Sequence, residues 1–370
     1  MLDADALAYN IAVFITSLYL LEFGADKFID HTTIVAHRTG ISETVISLLT
    51  AGAEWEELIV VIAALARNRA SLAIGNIVGS AISNILGAFS LGLLFHNSDE
   101  AVRFDRSARV YSLVLLATTT LMIPMLYFPT ETTWLACGTV LIASFVVYLA
   151  SVAWAISRGS LTAPEGSDSG SSDDDDSSDD ENSCNTDAER DSGGPHPAFP
   201  TASATTPLLP RQRSSKHKPL YHHVFRLLIG FLAICLSGYV LSHAASSIVD
   251  ELGISYLLFG VVILSIATTL PKKFIAVMSG RRGQPGILVA STAGSNIFLL
   301  TLCAGIVLLS TQNDFPRGNV GAVELATLWG STVTFAATVW FGGGCARWIG
   351  GAMVASYVAF VVVEFLVVHK

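Results

Sequence analysis

The sequence predicts an all-α polytopic membrane protein. Ten transmembrane helices form two inverted-topology five-helix repeats, joined by a disordered acidic linker. Three observations predict it. Of the 370 residues, 52% are hydrophobic and 14% are charged, where soluble domains carry about 25% charged residues. Apolar stretches near the roughly 20 residues that cross a bilayer recur along the chain. The stretches on either side of one polar segment also repeat each other at a constant offset.

The spans read as 7–29, 41–66, 71–95, 108–128, 133–157, 223–245, 254–279, 285–309, 320–342 and 349–368. The start, MLDADALAYN, is acidic and has no basic n-region, so the first span is expected to stay as an anchor. The second span carries Glu54, Glu56 and Glu57 within TAGAEWEELIVV. The third carries GNIVGSAISN. After the fifth comes GSDSGSSDDDDSSDDENSCNTDAERDSGG, then a Pro- and Ser-rich stretch that cannot bury a core. Residues 158–220 hold twelve Asp and Glu against six Lys and Arg, most of the formal charge of −9. The seventh span holds ATTLPKK and the eighth AGSNIFL. The organisation is therefore 1–157, first repeat; 158–220, disordered acidic linker; 221–370, second repeat.

Lys and Arg in the short loops place both termini outside and the linker in the cytoplasm. The acidic run has no EF-hand spacing and reads as a solvated segment, with a soluble partner as its candidate ligand. The five cysteines are scattered without metal or redox spacing. No nucleophile–base set, phosphate loop, cofactor motif or nucleic-acid patch stands out, so the sequence predicts neither an enzyme nor a cofactor.

The repeat is sharpest where GNIVGSAISNILGAFSLGLL (75–94) aligns with ASTAGSNIFLLTLCAGIVLL (290–309). Gly79-Ser80 then meets Gly294-Ser295, and Glu57 meets Lys272. Five spans per half is an odd number, so the second copy enters from the other side, a pattern of many secondary transporters. A charge at the centre of a span costs about 2.5–3.5 kcal/mol, so three acids there call for water, ions or partners. Glu54 and Glu57, three apart, are expected on one helix face. Carboxylate, amide and hydroxyl oxygens suit hard cations. The plainer readings are a helix ending near 53, lysines snorkelling from a half-helix and Gly-Ser motifs serving packing alone.

These motifs resemble the α-repeats of the sodium/calcium exchanger superfamily, whose pattern is G-T-S-L-P-E on one helix and G-N-x-x-G-S-N-x-x-(N/D) on the next. GNIVGSAISN is close to the second, with Ala81 replacing one Asn, and ATTLPK and AGSNIFL follow in copy two. LLEFGADKFID (20–30) is similar to the family's first helix. The resemblance implies cation-binding roles for Glu57, Ser80 and Asn84, and for Thr268, Thr269, Ser295 and Asn296 in copy two. Three departures stand out: Lys272 takes the place of the second glutamate, Leu299 that of the second Asn or Asp, and Ala53-Glu54 that of Thr-Ser. One carboxylate has thus moved into copy one, leaving Glu54 and Glu57 as the expected metal ligands and Lys272 as a tethered cation.

The resemblance implies an integral membrane antiporter moving Ca2+, Na+ or H+ through the lipid bilayer by alternating access. An ammonium near an entering cation can lose its proton, which would couple the cycle to H+. The alternatives are a non-transporting member locked by a Glu57–Lys272 ion pair and a membrane scaffold working through its linker.

Overall fold

The computed structural model describes residues 4–39, 54–96, 102–127, 134–158, 220–311, 320–341 and 343–367. All of them belong to one compact unit. Every regular element among them is helical: α1 Ala4–Arg38, α2 Trp55–Ala66, α3 Ala70–Leu94, α4 Arg106–Tyr127, α5 Trp134–Ser157 and α6 Leu220–Leu252. The remainder are α7 Tyr256–Thr268, α8 Leu270–Arg281, α9 Pro285–Ser310, α10 Ala322–Phe341 and α11 Ala346–Val367.

Among the described residues eight helices are long and apolar enough to cross a membrane, or up to nine if α7 and α8, bent by 49°, make one broken span. The expected second span is described only from 54 onward, as α2; its first part, 41–53, and the linker apart from its two ends lie outside the described residues. The first and sixth helices run past the expected 7–29 and 223–245, because backbone hydrogen bonding continues a helix beyond its apolar stretch.

Two helices form the centre. The apolar stretch of α3 is 89% buried and that of α9 78%, whereas those of α1 and α5 are 17% buried. α1 lies along α6, α4 packs on α10, α5 on the end of α9, and α11 on the end of α3. Phe89 of α3 meets Phe335 of α10 edge-on, ring centres 4.6 Å apart. An all-round apolar helix is the kind that is buried in a bundle, which is why α3 and α9 take the middle.

The centre is also where the helices unwind. Ser83–Phe89 in α3, Phe259–Leu264 in α7 and Leu299–Cys303 in α9 are π-helical. Such widened turns are rare and concentrate at functional sites. α3 and α7 cross at backbone contact. A Cβ on Gly260 would lie 2.7 Å from the Leu72 carbonyl and 2.9 Å from the Asn76 amide nitrogen. Gly260→Ala is therefore expected to push the two helices apart and destabilise the fold by about 1–3 kcal/mol, the usual cost of overpacking. Thermal denaturation of the purified protein should show a lower midpoint; an unchanged midpoint would show that the crossing yields freely.

Candidate functional site

Two short helices begin inside the bundle. α2 starts at Trp55, with Glu54 at its N-cap and Glu56 and Glu57 in its first turn. Carboxylates there complement the helix dipole and its free N–H groups. Trp55 packs between Phe28 of α1 and Phe298 of α9, which fixes this end. α8 starts after a break at Thr269, with a proline in its opening turn where no N–H is needed. Its first residues also include Lys272 and Lys273. Ammonium groups oppose the dipole at that end, so both lysines need partners.

Glu57 is fully buried, as are Asn76 and Ser80. Asn76 Nδ2 donates to one Glu57 oxygen, and Ser80 Oγ donates to the other at 3.0 Å. Thr268, buried at the end of α7, gives its hydroxyl hydrogen to the Leu264 carbonyl at 3.1 Å. Since a carboxylate can only accept, Asn76 turns its Nδ2 toward it, and Asn76 Oδ1 is left buried without a partner. Asn84 Nδ2 donates to Asn296 Oδ1 at 3.0 Å, and Asn296 Nδ2 to the Ala81 carbonyl at 3.1 Å, tying α3 to α9. Asn84 Oδ1 is likewise buried and unpartnered. A buried amide oxygen without a donor is an acceptor in want of a cation, a donor or a water.

Lys272 lies elsewhere. Its ammonium is ion-paired with Glu54, and with Glu56 at 3.3 Å. Glu22 and Asp26 of α1 add two more carboxyl groups to this neighbourhood. The expected Glu57–Lys272 pair is thus corrected. Repeat equivalence puts both residues at half-helix starts, but Lys272 turns toward α1 and the N-cap, while Glu57 turns toward α3. The shared face expected for Glu54 and Glu57 fails for a related reason: Glu54, at φ −91° and ψ 71°, precedes the helical turns that would set its direction.

Of the residues singled out by sequence, the structure groups Glu57 with Ser80, and separately Asn84 with Asn296, and Thr268 is buried at the end of α7. Thr269 is buried against Ser83 at 2.9 Å, and Ser295 is buried on α9 next to Asn296. Sequence reasoning passed over Asn76, although it stands in GNIVGS one helical turn before Ser80. It also passed over Glu22, which stands in the LLEFGADKFID stretch as a carboxylate inside an apolar first span.

The family model for sodium/calcium exchanger protein matches residues 9–154 and 222–366. A putative antiporter CaxA of Alkalimonas amylolytica is 25% identical over 297 residues, covering 79% of this chain and 78% of that protein. The sodium/calcium exchanger MaX1 of Methanosarcina acetivorans is 33% identical over 91 residues, 24% of this chain and 26% of its own. Among solved structures, native YfkE aligns with a TM-score of 0.65 at 14% identity, over 98% of this chain and 93% of its own. The sodium-calcium exchanger NCX_Mj aligns at 0.55 and 19% identity, over 96% and 99%. At those identities the structures establish likeness of fold.

Proposed function

The chain belongs to the sodium/calcium exchanger protein family, a family of transporters and integral membrane proteins, and from that premise we propose that it is a secondary active antiporter. It would move Ca2+ or another cation against Na+ or H+ by alternating access of a central site to the two sides of a bilayer. The observation that carries this reading is Glu57, a fully buried carboxylate held by Asn76 and Ser80, with the amide oxygen of Asn76 left unpartnered. Mixed carboxylate, amide and hydroxyl oxygens are what a hard cation takes. Ser80, Thr268, Thr269, Ser295 and Asn296 would line the same space. Glu54 would contribute whenever the cargo displaces Lys272 from it.

The architecture we propose is ten spans in two inverted halves. The pairing of elements supports it: α1 and α6 have 35 and 33 residues, α2 and α8 12 each, and α3 and α9 25 and 26. α4 and α10 have 22 and 20, and α5 and α11 24 and 22. Lipid would cover the exposed apolar side chains, such as Ile15, Val147, Leu232 and Leu366.

Radiolabelled Ca2+ and Na+ uptake into liposomes, under imposed Na+ and pH gradients, tests the reading. Uptake driven by one of those gradients is expected. Correctly inserted protein with no uptake in any gradient would overturn it. That result would favour the non-transporting reading, with Lys272, Glu54 and Glu56 as the lock in place of Glu57. A graded test follows from the Ser80 hydrogen bond. Ser80→Ala leaves one Glu57 oxygen unsupported, and a hydrogen bond to a charged group contributes about 1.5–3 kcal/mol. The cation concentration for half-maximal uptake should rise at least about tenfold; an unchanged value would remove Ser80 from the site.

A further inference from the structure

The second lysine of ATTLPKK has its own environment. Lys273 Nζ donates to Thr269 Oγ1 at 2.8 Å. Thr269 has one hydroxyl hydrogen, and it goes to the Ser265 carbonyl at 2.5 Å. Toward Ser83 Oγ, 2.9 Å away, Thr269 must therefore accept, and Ser83 donates. Ser83 in turn accepts from the Tyr357 hydroxyl at 2.9 Å. Each hydrogen has one place to go, so the chain Tyr357, Ser83, Thr269 runs in a single direction and leaves a Thr269 lone pair for the ammonium.

Two further contacts seat the lysine. Its ammonium lies 5.9 Å from the centre of the Tyr357 ring, within cation–π reach. A Cβ on Gly87 would come within 2.9 Å of Lys273 Cε, so the glycine leaves room for the stem. Ser83 stands three residues after Ser80 on α3, and Ser80 holds Glu57 at 3.0 Å, so the lysine's hydroxyl chain and the Glu57 site are neighbours on one helix. Lys272 is spent on Glu54 and Glu56.

We propose that Lys273 is the resident cation of the exchange site, its ammonium holding by tether a position beside Glu57 that the hydroxyls of Thr269, Ser83 and Tyr357 build. This rests on the exchange reading and specifies its charge balance. An ammonium and a bare monovalent ion of like charge use the same hydroxyl oxygens. With Lys273 in place, one such position is filled before any cargo arrives. The site then takes one positive charge fewer per cycle than the same oxygens would without the lysine, so Lys273 determines which cations, and how many, it accepts.

The test is equilibrium binding of radiolabelled Na+ to the purified full chain, read as ions bound per chain. Lys273→Met and Lys273→Gln empty the position, and each is expected to bind an additional Na+ relative to wild type. Lys273→Arg keeps the charge and is expected to bind the wild-type number. A lysine that serves packing alone would not change the count in this pattern. The proposal is overturned if neither neutral variant gains an ion, or if Lys273→Arg gains one as well. The count is read without transport, so a wild type that fails to exchange in liposomes overturns the exchange reading and leaves this result separately legible.

Discussion

Glu57→Gln is expected to abolish gradient-driven cation uptake while leaving the fold intact. Glutamine has the shape of glutamate, and the pocket can adapt to it. Asn76 needs only to rotate its amide so that Oδ1, now unpartnered, accepts from the new Nε2–H. Ser80 keeps its acceptor. What is lost is the charge. Two unit charges about 4 Å apart attract by about 4 kcal/mol at an effective dielectric of 20, which corresponds to roughly a thousandfold in affinity. Uptake in liposomes should fall to background, while the purified variant keeps a cooperative thermal unfolding transition. Glu57→Asp should fall between: the charge remains, but a side chain one methylene shorter cannot reach both Asn76 and Ser80. Wild-type uptake in the glutamine variant would show that the cation binds elsewhere.

The contrast between what was legible in the sequence and what was not has a physical basis. Spans announce themselves, because crossing a bilayer requires a continuous apolar run. The likeness of 75–94 to 290–309 drew attention to Ser80 and Ser295, and through their offset to Glu57. The direction each side chain takes was not legible. Equivalence between Glu57 and Lys272 fixes their places in two half-helices, not their rotation about the helix axes. The i, i+3 argument for Glu54 assumed a helix that starts only after it. The π-helical turns left no mark, since α3 and α9 carry no charged residue on any side and an added residue per turn does not disturb such a pattern. The partners of Lys273 were beyond reach for a further reason. Tyr357 meets Ser83 across 274 positions of chain, from a helix carrying no motif.

Lys272→Met is expected to destabilise the protein by about 3–5 kcal/mol, the cost of removing one partner from a buried ion pair. The substitution leaves Glu54 and Glu56 facing each other and Glu22 with no ammonium among them. Lys272→Glu should be worse, adding a carboxylate to that group. The double variant Glu54→Gln with Lys272→Met should recover much of the loss, because removing both partners costs less than stranding one. The exchange Glu54→Lys with Lys272→Glu should also recover stability, since it rebuilds the pair in reverse. Family resemblance alone would lead elsewhere: Lys272→Glu would restore the second repeat's carboxylate opposite Glu57 and create calcium binding. The two expectations separate cleanly. Thermal denaturation of the single, double and exchanged variants reads the first, and calorimetric Ca2+ titration of Lys272→Glu reads the second. A folded Lys272→Glu variant that binds Ca2+ tightly, and loses that binding on Glu57→Gln, would mean that residue 272 faces Glu57 in the working protein. Failure of Lys272→Glu to fold, with recovery in the exchanged variant, would place the lysine in its network with Glu54 and Glu56, holding α8 against α1 and α2 beside the cation path.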